Sequence, residues 1–467
     1  MNKNNLIYGV SDKPGFFKTI VFALQQVLAI LAATIVVPVI INSKAGLTGE
    51  DAMSQSAALL GAGVGTIVYL LFTKFKSPVF LGSSFAFLGS MTAAFAGAAT
   101  ASLGYLGLII GAILAGLVYV VIAILVKLVG VNWINKIMPA SVIGPTVAVI
   151  GLSLAGNAVG DLSKGGVSTA NPWLTLLCGI VTLLGVIVAS VYGKKMIKII
   201  PFIIGIAAGY LVAAIFTVIG IATKTPELQI INFGLFKEMV WLPDFSFIKA
   251  IGGFKSINGS YIATVAVAYV PVAFVVFAEH LADHKNISTI IGTDLTENPG
   301  LHRTLLGDGI GSMAGAFFGG CPNTTYGESV GCVAISGNAS VVTIITAAII
   351  CILVAFFAPF VTLLATIPSC VMGGVCFALY GFIAVSGLKM IQKVDLNDNR
   401  NLFTVSTVLI AGVGQLVLNI GKVTLTAVAC SLILGIIVNL ITSKKTTNND
   451  AETEEVEAVE EAEVLEE

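Results

Sequence analysis

The chain has 467 residues, 57% of them hydrophobic and only 10% charged, with a mean hydropathy of +0.99. A soluble domain carries about 25% charged residues, so the composition excludes a soluble enzyme, offers nothing to a nucleic-acid partner, and points to an integral membrane protein. The formal net charge of −1 hides an asymmetry: residues 448–467 hold ten acidic and no basic side chains, which leaves the body with 24 basic and 15 acidic residues, or +9.

The first elements in chain order set the class. Residues 1–16 lack the short apolar core and small-residue cleavage site of a signal peptide and read as a cytoplasmic end. From Phe17 onward, apolar runs of about 20 residues recur, the length of a membrane-spanning helix. Fourteen candidate segments begin near Phe17, Gln55, Pro78, Leu103, Pro139, Pro172, Ile197, Ile262, His302, Pro322, Ala339, Cys370, Asn401 and Lys422. The third, "PVFLGSSFAFLGSMTAAFAGAA" from Pro78, and the tenth, from Pro322 to Ser336, are too short or too broken by Gly, Ser and Pro to span as single helices. Each is expected to divide into an extended piece and a half helix. Residues 443–467 read as a disordered, solvated, cytoplasmic acidic tail.

An even number of spans with an inside N-terminus puts 17 of the 24 basic residues in cytoplasmic positions, Lys74, Lys76, Lys194, Lys195, Lys198, Arg303 and Arg400 among them. That is the bias of a multi-pass protein with both termini inside. "PASVIG" (Pro139–Gly144) opens the fifth segment and "PSCVMG" (Pro368–Gly373) opens the twelfth, seven later. The two broken segments are also seven apart. An odd number of spans per repeat inverts the second copy, so the layout expected is an all-α polytopic protein of 7+7 inverted repeats, the arrangement of alternating-access transporters.

Few ionisable residues fall inside the membrane. Glu279 follows an apolar run in "YVPVAFVVFAEHLADHKNIS", with Asp283 one helical turn on and on the same face. The other intramembrane acid is Glu328, in "CPNTTYGESVG". Acids at membrane depth cost about 2.5–3.5 kcal/mol on insertion scales and mark function. Each has a bland alternative: Glu279 at a helix end in the interface, Glu328 merely complementing a helix dipole. Desolvation lets a buried carboxylic acid hold a proton near neutrality, as a proton-coupled carrier requires, and Glu279 is the coupling candidate. The half helices add free backbone N–H groups. Acceptors and donors together suit a small, flat, uncharged ligand with alternating N–H and C=O groups, stacked on Phe85 or Tyr326; that describes a nucleobase.

Other patterns weigh less. "HLADH" (His280–His284) is half a metal site in a chain with only one further histidine, His302, so no metal is expected. "GIGSMA" (Gly309–Ala314) fits a dinucleotide fingerprint without the preceding strand and reads as close helix packing. Seven cysteines, all in apolar segments and without a C-x-x-C pair, suggest neither a disulfide framework nor zinc. "NTT" at Asn323 is a glycosylation sequon of little specificity.

On these residues the chain resembles the nucleobase/ascorbate transporter family, and above all its bacterial uracil-carrying branch. The similarity runs from about Gly9 to Leu440 through "GVSDKP", "ATIVVPV", "YLLF" followed by "FLGSSFAF", "AEH", "NPGLHR", "GCPNTTYGE", "VMGGV" and "LYGFIAVSG". "ESVGCVAISG" (Glu328–Gly337) fits the family signature of an acid or amide, a small polar residue, any residue, Gly, four residues, Ser/Thr and a final Arg, Lys or Gly.

The resemblance implies a cytoplasmic N-terminus (1–16), a core domain of segments 1–4 (17–135) and 8–11 (262–366), and a gate domain of segments 5–7 (136–221) and 12–14 (367–442). An extracellular loop (222–261) and the tail (443–467) complete it, with short antiparallel strands in segments 3 and 10. It further implies inner-membrane uracil:proton symport by a homodimer, with no cofactor besides the proton. Glu279 and Glu328 would bind the base, backbone at Phe85 and Gly327 would contact it, and Phe85 and Tyr326 would line the pocket. Coupling falls to Glu279, His280 and Asp283.

Three positions depart from that branch: Asp283 and Gln26 stand where many members have histidine, and Ser329 where they have asparagine. Glu328, where purine-selective relatives usually have glutamine, favours uracil. Two alternatives stay open, a xanthine or other nucleobase symporter and an anion channel or exchanger of similar inverted-repeat fold.

Overall fold

The structure is a computed structural model and describes residues 6–442 apart from positions 131, 195, 238, 421 and 422. Among these residues eight helices are long and apolar enough to cross a membrane, or nine if one bent pair is a single span. The first half contains α1 (Phe16–Ala45), α2 (Gln55–Phe72), strand β1 (Leu81–Ser83), the short α3 (Leu88–Ala96), α4 (Ala101–Val129), α5 (Ala140–Ser153), α6 (Ala155–Asp161), α7 (Pro172–Tyr192) and α8 (Pro201–Thr223). The second half opens with α9 (Gly259–Ile291), α10 (Leu301–Gly319), strand β2 (Asn323–Thr325) and the short α11 (Gly327–Ser336). Next come α12 (Val341–Ala355) and α13 (Ala358–Ala365), bent by 81°, then α14 (Ser369–Ile391), α15 (Asn399–Val413) and α16 (Ala427–Thr442).

Local chemistry sets several boundaries. Asn258 caps α9 by accepting from the Tyr261 N–H at 2.9 Å, so this helix starts slightly before the expected Ile262. It then runs on to Ile291, well past Glu279, so the helix does not end at that acid. Segment 7 begins at Pro201 instead of Ile197, because proline suits the first helical turn, where its missing N–H costs nothing. Lys422 and the tail 443–467 lie outside the described residues. A hairpin of β3 (Leu418–Ile420) and β4 (Val423–Leu425) occupies the neighbourhood of the former, and α16 starts only at Ala427.

Segments 3 and 10 break as expected and pair across the molecule. β1 and β2 run antiparallel with Leu81 opposite Thr325, Gly82 opposite Thr324 and Ser83 opposite Asn323. Breaking a helix at membrane depth frees backbone groups that need partners, and side chains supply them. The Thr66 hydroxyl of α2 accepts from the Leu81 N–H at 2.9 Å, and the Ser329 hydroxyl of α11 accepts from the Phe80 N–H at 3.1 Å.

Small residues then bring α2, α10 and β2 together. A Cβ added at Gly61 would sit 2.6 Å from the Gly315 carbonyl, and one at Gly311 would sit 2.8 Å from the Gly65 carbonyl. "GIGSMA" is thus a packing face. Asn323 fills the slot these glycines leave and donates to the Gly61 carbonyl at 2.9 Å. With 1% of its surface exposed it is no glycan acceptor.

Candidate functional site

A cavity of about 460 Å³ lies among α5, the start of α8, α9, β2, α11 and α14. Six of the seven residues singled out from the sequence line it: Phe85, Glu279, Asp283, Tyr326, Gly327 and Glu328. The i, i+4 spacing on α9 aims Glu279 and Asp283 at one side of the space. The β2–α11 junction delivers Tyr326, Gly327 and Glu328 from the other. Glu328 sits in the first turn of α11, whose N–H groups have no carbonyl one turn earlier to bond; no side chain at the N-cap covers that end, and the Glu328 N–H turns to its own carboxylate.

The three acids differ in their contacts. Asp283 accepts through Oδ2 from the Thr325 hydroxyl at 2.8 Å, which ties α9 to β2. Among the described residues no other residue is hydrogen-bonded to the Glu279 or Glu328 carboxylate, Glu328 accepts from its own backbone N–H, and both are half-buried at the cavity wall. Gly327 is exposed to the space, and a Cβ there would meet only Asp283 Oδ1 at 3.7 Å. Phe85 stands edge-on to Tyr380 of α14, with ring centroids 6.3 Å apart. Tyr326 is more constrained than a simple wall: its hydroxyl donates to the Ser83 carbonyl at 2.7 Å and its ring covers Gly82, where a Cβ would collide with it.

His280 is the residue that does not join them. One position along a helix turns the side chain by about 100°, which carries His280 and His284 toward α10 and α2. His280 Nδ1 lies 2.8 Å from Asp308 Oδ2 and Nε2 lies 3.0 Å from the Thr304 hydroxyl. The His284 ring stacks on it at 3.9 Å, with Nδ1 on the His280 carbonyl and Nε2 2.7 Å from the Tyr69 hydroxyl. Every imidazole nitrogen of "HLADH" is thereby occupied inside the protein.

The departing positions cluster around α11. Ser329 turns its hydroxyl to the Phe80 N–H, and the Gln26 amide reaches the Ser329 carbonyl at 3.4 Å. Several lining residues were missed in the sequence: Ile143 and Val147 of α5, Phe202 of α8, Leu379 and Ser386 of α14, and Lys198, the one cation of the lining among the described residues. Apolar residues in apolar helices carry no local mark of function. Thr325 was visible only as one hydroxyl in a polar string; its partner Asp283 is remote in sequence.

A family model described as a permease family matches residues 17–421. The uracil permease of Bacillus caldolyticus is 37% identical over 442 residues, covering 94% of this chain and 95% of that protein. That of Bacillus subtilis (strain 168) is 36% identical over 449 residues, with 94% and 96% covered. That of Escherichia coli (strain K12) is 34% identical over 436 residues, with 93% of each covered. Among solved structures, the transmembrane domain of a cyanobacterium bicarbonate transporter, BicA, aligns with TM-score 0.59 and 17% identity over 92% of this chain and 100% of that one. The murine Solute Carrier 26 family member A9 anion transporter in the inward-facing state aligns with TM-score 0.62 and 14% identity over 94% and 70%. At such identities these two share the fold alone.

Proposed function

The chain belongs to this permease family and is a multi-pass membrane transport protein, and from that premise we propose that it imports uracil together with a proton by alternating access. The observation that carries the reading is the pairing of two carboxylates, Glu279 and Glu328, that no other described residue engages, across one cavity of about 460 Å³, in a chain whose relatives at 34–37% identity are named uracil permeases. The acids accept the ring N–H groups, the free backbone donors of the first turn of α11 meet a ring carbonyl, and Phe85 and Tyr326 flank the base. Glu279 with Asp283 holds the coupling proton. No cofactor enters.

The same reading makes the protein a fourteen-span inverted repeat in the cell membrane with both termini cytoplasmic. Three observations support it. The two broken segments meet as antiparallel strands. α5 and α14 each start directly after a proline, Pro139 and Pro368, and pack closely where Gly144 meets the Gly387 carbonyl and Gly151 the Tyr380 carbonyl. Helix packing also separates into two sets, α1, α2, α4, α9, α10 and α12 in one and α5, α7, α8, α14 and α15 in the other, in line with a core and a gate domain. Lys198, on the side the basic residues favour as cytoplasmic, lines the cavity; we take the cavity to open inward. A homodimer completes the proposal.

Labelled uracil uptake in cells lacking their own permease tests it, with unlabelled xanthine, hypoxanthine, thymine and uric acid as competitors. Strong xanthine uptake with none of uracil across a pH series replaces the substrate. An anion carrier is the second reading, since the fold neighbours carry anions. It requires a cation or a bare helix N-terminus at the ligand; Lys198 does line the cavity, but the half-helix N-terminus carries Glu328 and faces Glu279 and Asp283, so three carboxylates stand against one ammonium.

A further inference from the structure

The string "GVSDKP" (Gly9–Pro14) takes no part in the cavity, yet the segment containing it is bound to the far end of the half helix that carries Glu328. The Ile7 and Tyr8 N–H groups both donate to the Gly337 carbonyl, at 2.7 and 3.1 Å. The Ala339 N–H donates to the Tyr8 carbonyl at 2.9 Å and the Val341 N–H to the Val10 carbonyl at 3.1 Å. The Ser340 hydroxyl donates to the Asp12 carbonyl at 2.6 Å. Asp12 closes the turn by accepting the Gly9 N–H on Oδ2 at 2.7 Å. Residues 7–12 therefore lie alongside residues 337–341, the link between α11 and α12, bridging in parallel at Tyr8 and Asn338.

The segment is itself moored. The Tyr8 ring meets Phe22 of α1 edge-on at 6.0 Å, the Lys18 ammonium donates to the Tyr8 hydroxyl at 3.2 Å, and the Thr19 hydroxyl donates to the Pro14 carbonyl at 2.9 Å. Leu6 and Val10 pack on the apolar cluster that contains Val330 and Val333 of α11.

α11 has ten residues, a rod of about 15 Å, and both ends lie inside the protein. Such a rod is aimed by whatever holds its ends. The cavity end is held by Ser329 through Phe80 and by the strand pair; the other end, where Gly337 turns the chain in the left-handed conformation with φ 67°, is held by residues 7–12. We propose that residues 7–12 are a positioning strap: by fixing the C-terminal end of α11 they set where its first turn presents Gly327 and Glu328 to the substrate. The strap touches no substrate. A binding group must be held within about 0.5 Å to be effective, so a slack strap degrades binding without removing any ligand contact. The inference rests on the reading of Glu328 as a uracil acceptor.

The test compares full-length wild type, the double variant Asp12→Ala/Ser340→Ala, and Asp12→Asn, which keeps an acceptor for the Gly9 N–H. Uracil KM and maximal rate per transporter in the membrane are measured, together with amide hydrogen exchange over residues 327–341. The double variant is expected to raise KM roughly fivefold or more, from the loss of two hydrogen bonds, at an unchanged maximal rate. Faster exchange is expected at 327–331 as well as at 337–341, with Asp12→Asn behaving as wild type. Wild-type KM in the double variant, or faster exchange confined to 337–341, overturns the strap. If the double variant does not reach the membrane, Asp12→Ala alone, which removes one exposed hydrogen bond, carries the same comparison. A wild-type chain that takes up no uracil defeats the substrate reading, and the exchange at 327–331 then decides the strap by itself.

Discussion

Glu279 and Glu328 face one cavity from two kinds of backbone. Glu279 stands in the middle of a 33-residue helix, where helical periodicity alone aligns it with Asp283 and where no distant residue is needed to aim it. Glu328 opens a ten-residue helix whose place depends on the register of β1 with β2, on Ser329 holding Phe80, and on residues 7–12 at the opposite end. The first acid is positioned locally and the second by contacts hundreds of residues apart in sequence. The local acid suits a task that must persist through a conformational cycle, and the assembled one suits discrimination, since small shifts of its supports alter the fit.

Substitutions at the two acids separate these roles. Glu279→Gln keeps shape and hydrogen bonding but cannot release a proton, so concentrative uptake is expected to vanish while exchange of uracil down its gradient persists weakly. Full accumulation by that variant, measured with labelled uracil in energised vesicles, removes Glu279 as the coupling acid. In the wild type, acidifying the outside medium is expected to raise accumulation and an uncoupler to collapse it; insensitivity to both excludes a proton as the driving ion. Glu328→Gln loses a charge-assisted hydrogen bond, about 1.5–3 kcal/mol, and is expected to raise uracil KM on the order of 10- to 100-fold with a smaller loss for xanthine. Equal losses for both bases would deny Glu328 a part in selection.

Smaller effects probe the supports. Ser329→Ala strands the buried Phe80 N–H, at about 1–3 kcal/mol, and is expected to lower the melting temperature and raise KM together; a change in either alone would uncouple the strand pair from Glu328. Thr325→Val removes the hydrogen bond to Asp283 at a net cost of about 0.5–1.5 kcal/mol. A several-fold change in the pH dependence of uptake, with little change in stability, is the expected result, and a wild-type pH profile would make that contact incidental.

Much of this was legible in the sequence where physics acts over a turn or two of helix. Apolar runs located the membrane helices, Gly, Ser and Pro located the breaks, and i, i+4 spacing paired Glu279 with Asp283. "GIGSMA" could be read as a packing face because small residues at helical spacing permit close approach whatever lies opposite. His280 shows the limit of adjacency: it neighbours Glu279 in sequence but points about 100° away, into a buried contact with Asp308 that no local pattern announced. Lys198, Ile143 and Ser386 line the cavity without any local mark, and Lys422 and the acidic tail lie outside the described residues.

By itself, then, the sequence determined membrane residence and the presence of paired interrupted segments, because burial cost and backbone hydrogen bonding act on every residue irrespective of its neighbours in space; of the acids it offered Glu279, Asp283 and Glu328 but not the buried Asp308. Only the tertiary structure decided which of those groups meet. Strand register put Thr325 within 2.8 Å of Asp283, a glycine-lined slot seated Asn323 between two helices, and an N-terminal segment closed on the end of the helix that carries Glu328. These are contacts between residues far apart in the chain, and their geometry is set by packing that no stretch of sequence contains.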